Sequence, residues 1–287
     1  MSDFSNNSEI GKIIVRCENI TKYYPVPLPI KSIFKFQFIR EKKLILDNIG
    51  FSVREGEIFG IIGPNGAGKT TTLKIMCTLT TPTKGKAFVY GHDVAKERRD
   101  VLKKIGYCIS EERSFFWRLT GRQNLNFFAD LLEVPPEKAK RRINELLERF
   151  ELEDSSDKRF LNYSSGMKQK MAIARSLLAD PEVIFMDEPT RGLDPGSAFK
   201  LRSLIKSFAK EENKTIIITT NRVSDIKNLC QRILVLNKGK AVIKGTLEEI
   251  SSSVKKEKGV SGELPFEETF NLLLANNKVG TNGEIKK

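Results

Sequence analysis

One glycine-rich run, Gly63-Pro64-Asn65-Gly66-Ala67-Gly68-Lys69-Thr70, constrains this chain more than any other feature. It fits G-x-x-x-x-G-K-[ST] and stands between the apolar run Ile58–Ile62 and a helical stretch from Lys69 to about Leu79. Strand, tight loop and helix is the order the pattern requires. Glycines let successive backbone N–H groups turn inward as an anion nest, and the helix aims its positive end at the same point. Lys69 adds a point charge for β- and γ-phosphates, and Thr70 offers a hydroxyl to Mg²⁺, which prefers hard oxygen ligands. Gly63 to Thr70, with the adjoining Thr71, are the candidate nucleotide contacts.

A second cluster follows the all-apolar run Val183–Met186, which has the character of a strand buried on both faces. It reads Asp187-Glu188-Pro189-Thr190. In an open α/β sheet, ligands sit at the carboxyl ends of the strands, so both carboxylates face the phosphate site. Asp187 would orient Mg²⁺, and Glu188 would act as general base towards the attacking water. Alone, such a pair is a solvated strand end; beside a phosphate loop it becomes chemistry.

The rest of the chain supports a mostly parallel sheet flanked by helices. Ile49–Val53 and Ile58–Ile62 flank Glu55-Gly56 as an expected hairpin, and Ile233–Leu236 and Ala241–Ile243 flank Lys238-Gly239 as another. Leu125, Phe128, Leu131 and Leu132 recur at helical spacing, as do Ala139, Ile143, Leu146, Leu147 and Phe150, with Pro135-Pro136 between the two sets. Further helices are expected at about Gly166–Ala179 and around Leu201 to Phe208, and a strand at Thr215–Thr220. After about Ser251 periodicity fades, apart from a short helix near Phe266–Leu274, and a partly mobile extension over 251–287 is expected.

Composition decides less. Lys and Arg number 49 against 36 Asp and Glu, a net charge of +13, which suits nucleic acid, an anionic membrane surface or polyphosphate ligands, or is a solvated surface. At 39% hydrophobic the chain has ample material for a core, which excludes disorder. Cys17, Cys77, Cys108 and Cys230 are too scattered for a disulfide framework or zinc cluster and read as reduced, mostly buried thiols. No apolar run approaches the ~20 residues that span a bilayer, and the first residues lack a signal segment, so a membrane role is expected through a partner.

Phosphate loop, acidic pair and the helical region between them resemble the nucleotide-binding subunit of an ABC transporter over roughly residues 13–250. The family's LSGGQ signature corresponds here to Tyr163-Ser164-Ser165-Gly166-Met167. The resemblance implies a P-loop NTPase core of α/β class, with an antiparallel β subdomain and an inserted helical subdomain at about 111–180, in one ATPase domain over 1–250. It also implies two subunits, identical or not, pairing head to tail, each offering Ser164, Ser165 and Gly166 to ATP held by the other's phosphate loop. From the residues alone, Ser164 is placed to cap a helix. By the same resemblance Tyr24 stacks on adenine, with Tyr23 an alternative, and Asp194 crosses the dimer interface; a core aromatic and a helix cap are the structural alternatives.

Three departures from the family pattern stand out. Asn221 replaces the histidine that touches the γ-phosphate; it can donate an amide hydrogen bond but cannot become charged near neutral pH. Ser110 replaces a glutamine near Mg²⁺ and the lytic water, and Ser165 and Met167 alter the signature. Slow hydrolysis is therefore expected. The only histidine, His92, is expected in an exposed loop.

The aromatic run Phe115-Phe116-Trp117 is either core or, by resemblance, the cleft that grips a polytopic membrane permease. The segment Ile30–Lys43 has alternating aromatic and basic residues and reads as an inserted strand, a lipid-headgroup or partner face, or a stacking surface for nucleic acid. The leading function is ATP-driven export through a separately encoded permease, with the subunit cytoplasmic and peripheral on the inner face of the membrane. A soluble ABC ATPase acting on ribosomes or DNA, and a non-hydrolysing ATP-dependent regulator, are the alternatives; direct nucleic-acid binding is not expected.

Overall fold

The computed structural model describes residues 11–26, 42–109, 114–259 and 264–275. Ser110 and nearly all of the Ile30–Lys43 segment lie outside them. Two sheets form the frame. The first is antiparallel, in the order β2-β1-β4-β5, from β1 (Ile13–Pro25), β2 (Lys42–Arg54), β4 (Lys84–Val89) and β5 (His92–Asp93). The second runs β10-β9-β3-β8-β7-β6, from β3 (Ile58–Ile62), β6 (Ile105–Ile109), β7 (Val183–Asp187), β8 (Thr215–Thr220), β9 (Arg232–Asn237) and β10 (Lys240–Gly245). Its neighbours are parallel except β10, which pairs with β9 as the expected hairpin.

The other expected hairpin does not form. β2 and β3 belong to different sheets, because their burial differs in kind: β2 is buried on one face only, whereas every residue of β3 is buried. A strand covered on both faces belongs in the middle of a helix-flanked parallel sheet, between β8 and β9.

The Lys69–Met76 helix packs between the sheets, where Leu73, Ile75 and Met76 meet Val15, Phe51, Phe59 and Phe185. The other face of the six-stranded sheet carries Ile184, Met186, Ile216 and Ile218 against the helices Gly121–Leu131, Pro136–Arg149, Ser165–Ser176 and Pro195–Glu211. Pro136 opens the second of these, where a missing N–H costs nothing.

Periodicity does not fade at Ser251. A helix runs Leu247–Lys258, started by a reciprocal capping box between Thr246 and Glu249. With Phe266–Ala275 it buries Ile250, Val254, Phe266, Phe270 and Leu273 against Ile62, Ile226 and Val235. Cys17, Cys77 and Cys108 are buried free thiols, and burial pushes all three above the ordinary thiol range; Cys230 is half-buried. His92 is half-buried on β5 rather than in an exposed loop, with Nδ1 3.1 Å from Glu97 Oε1.

Candidate functional site

The loop from Gly63 leaves the end of β3 and turns directly into the Lys69–Met76 helix. Gly63 has no room for a side chain: a Cβ there would collide with the Leu236 carbonyl oxygen of β9. Gly68, the residue before the helix, has φ of +105°, which only glycine adopts without strain, and the helix start carries no side-chain cap. Its first-turn N–H groups therefore point into the loop without a side-chain oxygen to occupy them.

Lys69 is buried and folds back over the loop, donating to the carbonyls of Gly63 at 2.8 Å and Pro64 at 3.1 Å. Burial pulls its pKa below the ordinary lysine range, and the carboxylates of Glu188 and Asp187 act against that pull. Lys69 Nζ stands 4.0 Å from Glu188 Oε1. Thr70 donates to Asp187 at 2.9 and 3.2 Å, and Thr219 on β8 also donates to Asp187. Two neighbouring strand ends and one helix start thus converge on a cationic ammonium, two hydroxyls and two carboxylates. Those oxygen donors are the hard set that suits Mg²⁺.

Glu188 is the residue on which the geometry turns. Its side chain is mostly buried, at 18% exposure. Its φ is +50°, the left-handed region that costs a non-glycine residue energy and that surrounding contacts must hold. The main chain supplies two such contacts, Glu188 N to Thr219 O at 2.9 Å and Arg191 N to Glu188 O at 3.0 Å; Arg191 Nη1 also lies 3.5 Å from Glu188 Oε2. Asn221, one residue beyond β8, donates to Asn65 Oδ1 of the phosphate loop at 3.4 Å. The residue that departs from the family pattern thus lies beside the loop.

Other expected residues lie at two further helix starts and on β1. Ser164 caps the Ser165–Ser176 helix, accepting from Met167 N at 3.2 Å; Ser164 and Ser165 are exposed, and Gly166 is half-buried against Leu193. Asp194 caps the Pro195–Glu211 helix through Ser197 N, and those hydrogen bonds lower its pKa. Tyr24 is half-buried on β1 with Lys22 Nζ 4.9 Å above its ring, and Tyr23 adjoins it.

The aromatic run divides. Phe115 is core, stacked on Phe160 at 4.5 Å with the Arg175 guanidinium 4.7 Å from its ring, so it lines no open cleft. Phe116 and Trp117 are 46% and 44% exposed, and Phe116 meets the exposed Phe127 edge-on at 4.6 Å. The sequence patterns carry no role for Thr219, for Asn65 as partner of Asn221, or for Thr190, Arg202 and Asp225. Only Asp225 carried a signal: a carboxylate four residues after Asn221 in an otherwise ordinary helix start.

The ABC transporter family matches residues 46–191. The chain is similar to the ABC transporter ATP-binding protein NatA of Bacillus subtilis, at 34% identity over 77% of this chain and 90% of that one. It is similar to a daunorubicin resistance ATP-binding protein of Streptomyces coeruleorubidus, at 37% identity over 73% of this chain and 66% of that one. The bacitracin transport ATP-binding protein BcrA of Bacillus licheniformis is 38% identical over 71% of this chain and 64% of its own length. The chain thus spans about two thirds of the drug-resistance relatives. Among solved structures, an ATP-binding cassette captured as a post-hydrolysis dimer with ADP and Pi superposes with a TM-score of 0.70 at 26% identity, over 81% of this chain and 98% of that one.

Proposed function

This chain belongs to the ABC transporter ATP-binding proteins and is an ABC ATPase, and on that premise we propose that it drives export through a separately encoded membrane permease. The observation that carries the reading is the convergence of Lys69, Thr70, Asp187 and Glu188 around one loop. Backbone N–H groups of the loop from Asn65 to Thr70, with Thr71, cradle the phosphates of ATP, and Lys69 neutralises charge at the β- and γ-phosphates. Thr70 and Asp187 would hold Mg²⁺, which when bound offsets the charge of the β- and γ-oxygens. Glu188 accepts a proton from the water whose oxygen bonds to the γ-phosphorus as the bond to the ADP oxygen breaks. Asn221 donates its amide to the γ-phosphate and cannot add a positive charge, and Ser110 reaches less far than a glutamine, so turnover is slow.

In the same reading Ser164, Ser165 and Gly166 complete the site across a pair of subunits, each chain closing on ATP held by the other, with Asp194 at the interface and Tyr24 on the adenine. The capped, exposed start of the Ser165–Ser176 helix is suited to an anion arriving from another molecule. Phe116, edge-on to Phe127, and Trp117, both exposed, are the anchors for the permease. No helix among the described residues is long and apolar enough to cross a membrane, and membrane attachment comes through that partner. Export of a drug-like substrate is carried over from the names of the relatives.

The deciding experiment measures MgATP turnover and nucleotide binding for wild type and Glu188→Gln. Turnover is expected to fall by about 10²–10⁴ with binding retained; wild-type hydrolysis in the variant removes Glu188 from the base role. Affinity purification from membranes is expected to recover a polytopic protein, and salt-sensitive nucleic-acid binding in its place would overturn the transport reading.

A further inference from the structure

The β7–β8 ladder ends with Asp187 beside Thr219, one residue short of the general base. Beyond that point the two strand ends are joined by a buried carboxylate. Asp225, in the Val223–Leu229 helix, has 0% side-chain exposure. One of its oxygens accepts from Thr190 Oγ1 at 2.6 Å and from Thr220 Oγ1 at 3.0 Å; the other accepts from Arg202 Nη1 at 2.9 Å. Thr190 lies two residues after Glu188, and Thr220 immediately precedes Asn221. Both threonines are about as buried as Asp225. Arg222 closes the bracket from outside, donating through Nη1 to the Thr190 carbonyl at 3.0 Å.

A buried ion pair with neutral hydroxyls around it is a weak source of net stability, because desolvation offsets most of the attraction. Its directionality is another matter. Each of its three donors fixes one element: the turn after β7 through Thr190, the end of β8 through Thr220 and the Pro195–Glu211 helix through Arg202; Arg222 holds that turn a second time, at the Thr190 carbonyl. The first of these holds a segment whose Glu188 sits in the left-handed region, which needs outside contacts to persist.

We propose that Asp225 is a positioning residue for hydrolysis: through Thr190 and Thr220 it holds Glu188 and Asn221 in mutual register on the γ-phosphate. This rests on the reading of Glu188 and Asn221 given above. Because charge removal at Asp225 leaves Arg202 buried without its partner and can unfold the chain, the main test is Thr190→Val, which deletes one hydroxyl at nearly constant volume. Single-turnover MgATP cleavage is expected to slow about tenfold, with ATP affinity within twofold of wild type and the melting temperature lowered by only a few degrees, the cost of one hydrogen bond to a buried carboxylate. Thr190→Ser, which keeps the hydroxyl, is expected to recover the rate. Asp225→Asn serves as the second variant and is expected to lower the rate at least as far as Thr190→Val.

Wild-type cleavage by Thr190→Val, or equal slowing by valine and serine, overturns the inference, as does parallel loss of affinity, melting temperature and rate. Glu188→Gln measured alongside separates the two levels. If it retains cleavage, or if wild type cleaves no ATP, the underlying reading fails; if it loses cleavage while Thr190→Val does not, only the role of Asp225 fails.

Discussion

Two helix starts in this protein are built in opposite ways. The Lys69–Met76 helix begins at a left-handed glycine with no side-chain cap, buried between two sheets and ringed by strand-end carboxylates. The Ser165–Ser176 helix begins at an exposed serine that caps it. An uncapped start inside a folded domain is tolerable only where something else meets its N–H groups, and a loop of glycines leaves room for a phosphate to do so. A capped start on the surface is stable by itself, and its remaining positive end is available to another molecule. The contrast teaches that the phosphate loop is organised by this chain's own packing, whereas the signature helix is finished structurally but faces outward.

That contrast can be broken at several points. The largest effect is expected beneath the second helix: Phe115→Ala removes the ring on which Phe160 and Arg175 stack and should cost about 3–5 kcal/mol of stability in a denaturant titration. Next, Lys69→Ala should weaken MgATP binding by about a hundredfold, about 2.7 kcal/mol by calorimetry, with the fold retained. Wild-type affinity in that variant would end the phosphate-loop reading. Ser164→Ala should cost about 1 kcal/mol of stability through the lost cap. It should lower hydrolysis without altering ATP binding to the isolated chain, since the proposed contact is with the other subunit's nucleotide. The smallest change is expected for Phe116→Ala with Trp117→Ala, within about 0.5 kcal/mol of wild-type stability. The same double variant should recover less permease from membranes, and full recovery would return these rings to the status of surface aromatics.

Much of the site was legible because its signals are short in sequence. The phosphate loop, the pair Asp187-Glu188 after an all-apolar strand, and the cap at Ser164 are each defined within a few residues, and each lies where its local pattern placed it. The aromatic run shows the limit. Phe115, Phe116 and Trp117 share one composition, but only Phe115 turns inward, because Phe160 and Arg175 stand behind it. The β2–β3 junction shows the same limit: a turn signal at Glu55-Gly56 says that the chain reverses, not which sheet receives each strand.

By itself, then, the amino-acid order determined the nest for phosphate, the acid pair after its apolar strand, several of the strands and helices and the family, since backbone nests, caps and hydrophobic periods act over one turn or one strand. Tertiary structure alone decided that Thr70 meets Asp187 across 117 positions, that Asn221 reaches Asn65 across 156, and that Asp225 ties Thr190 to Thr220. Such contacts depend on which strands become neighbours in the sheet, and that choice is made by the burial of both sheet faces at once, which no local stretch encodes.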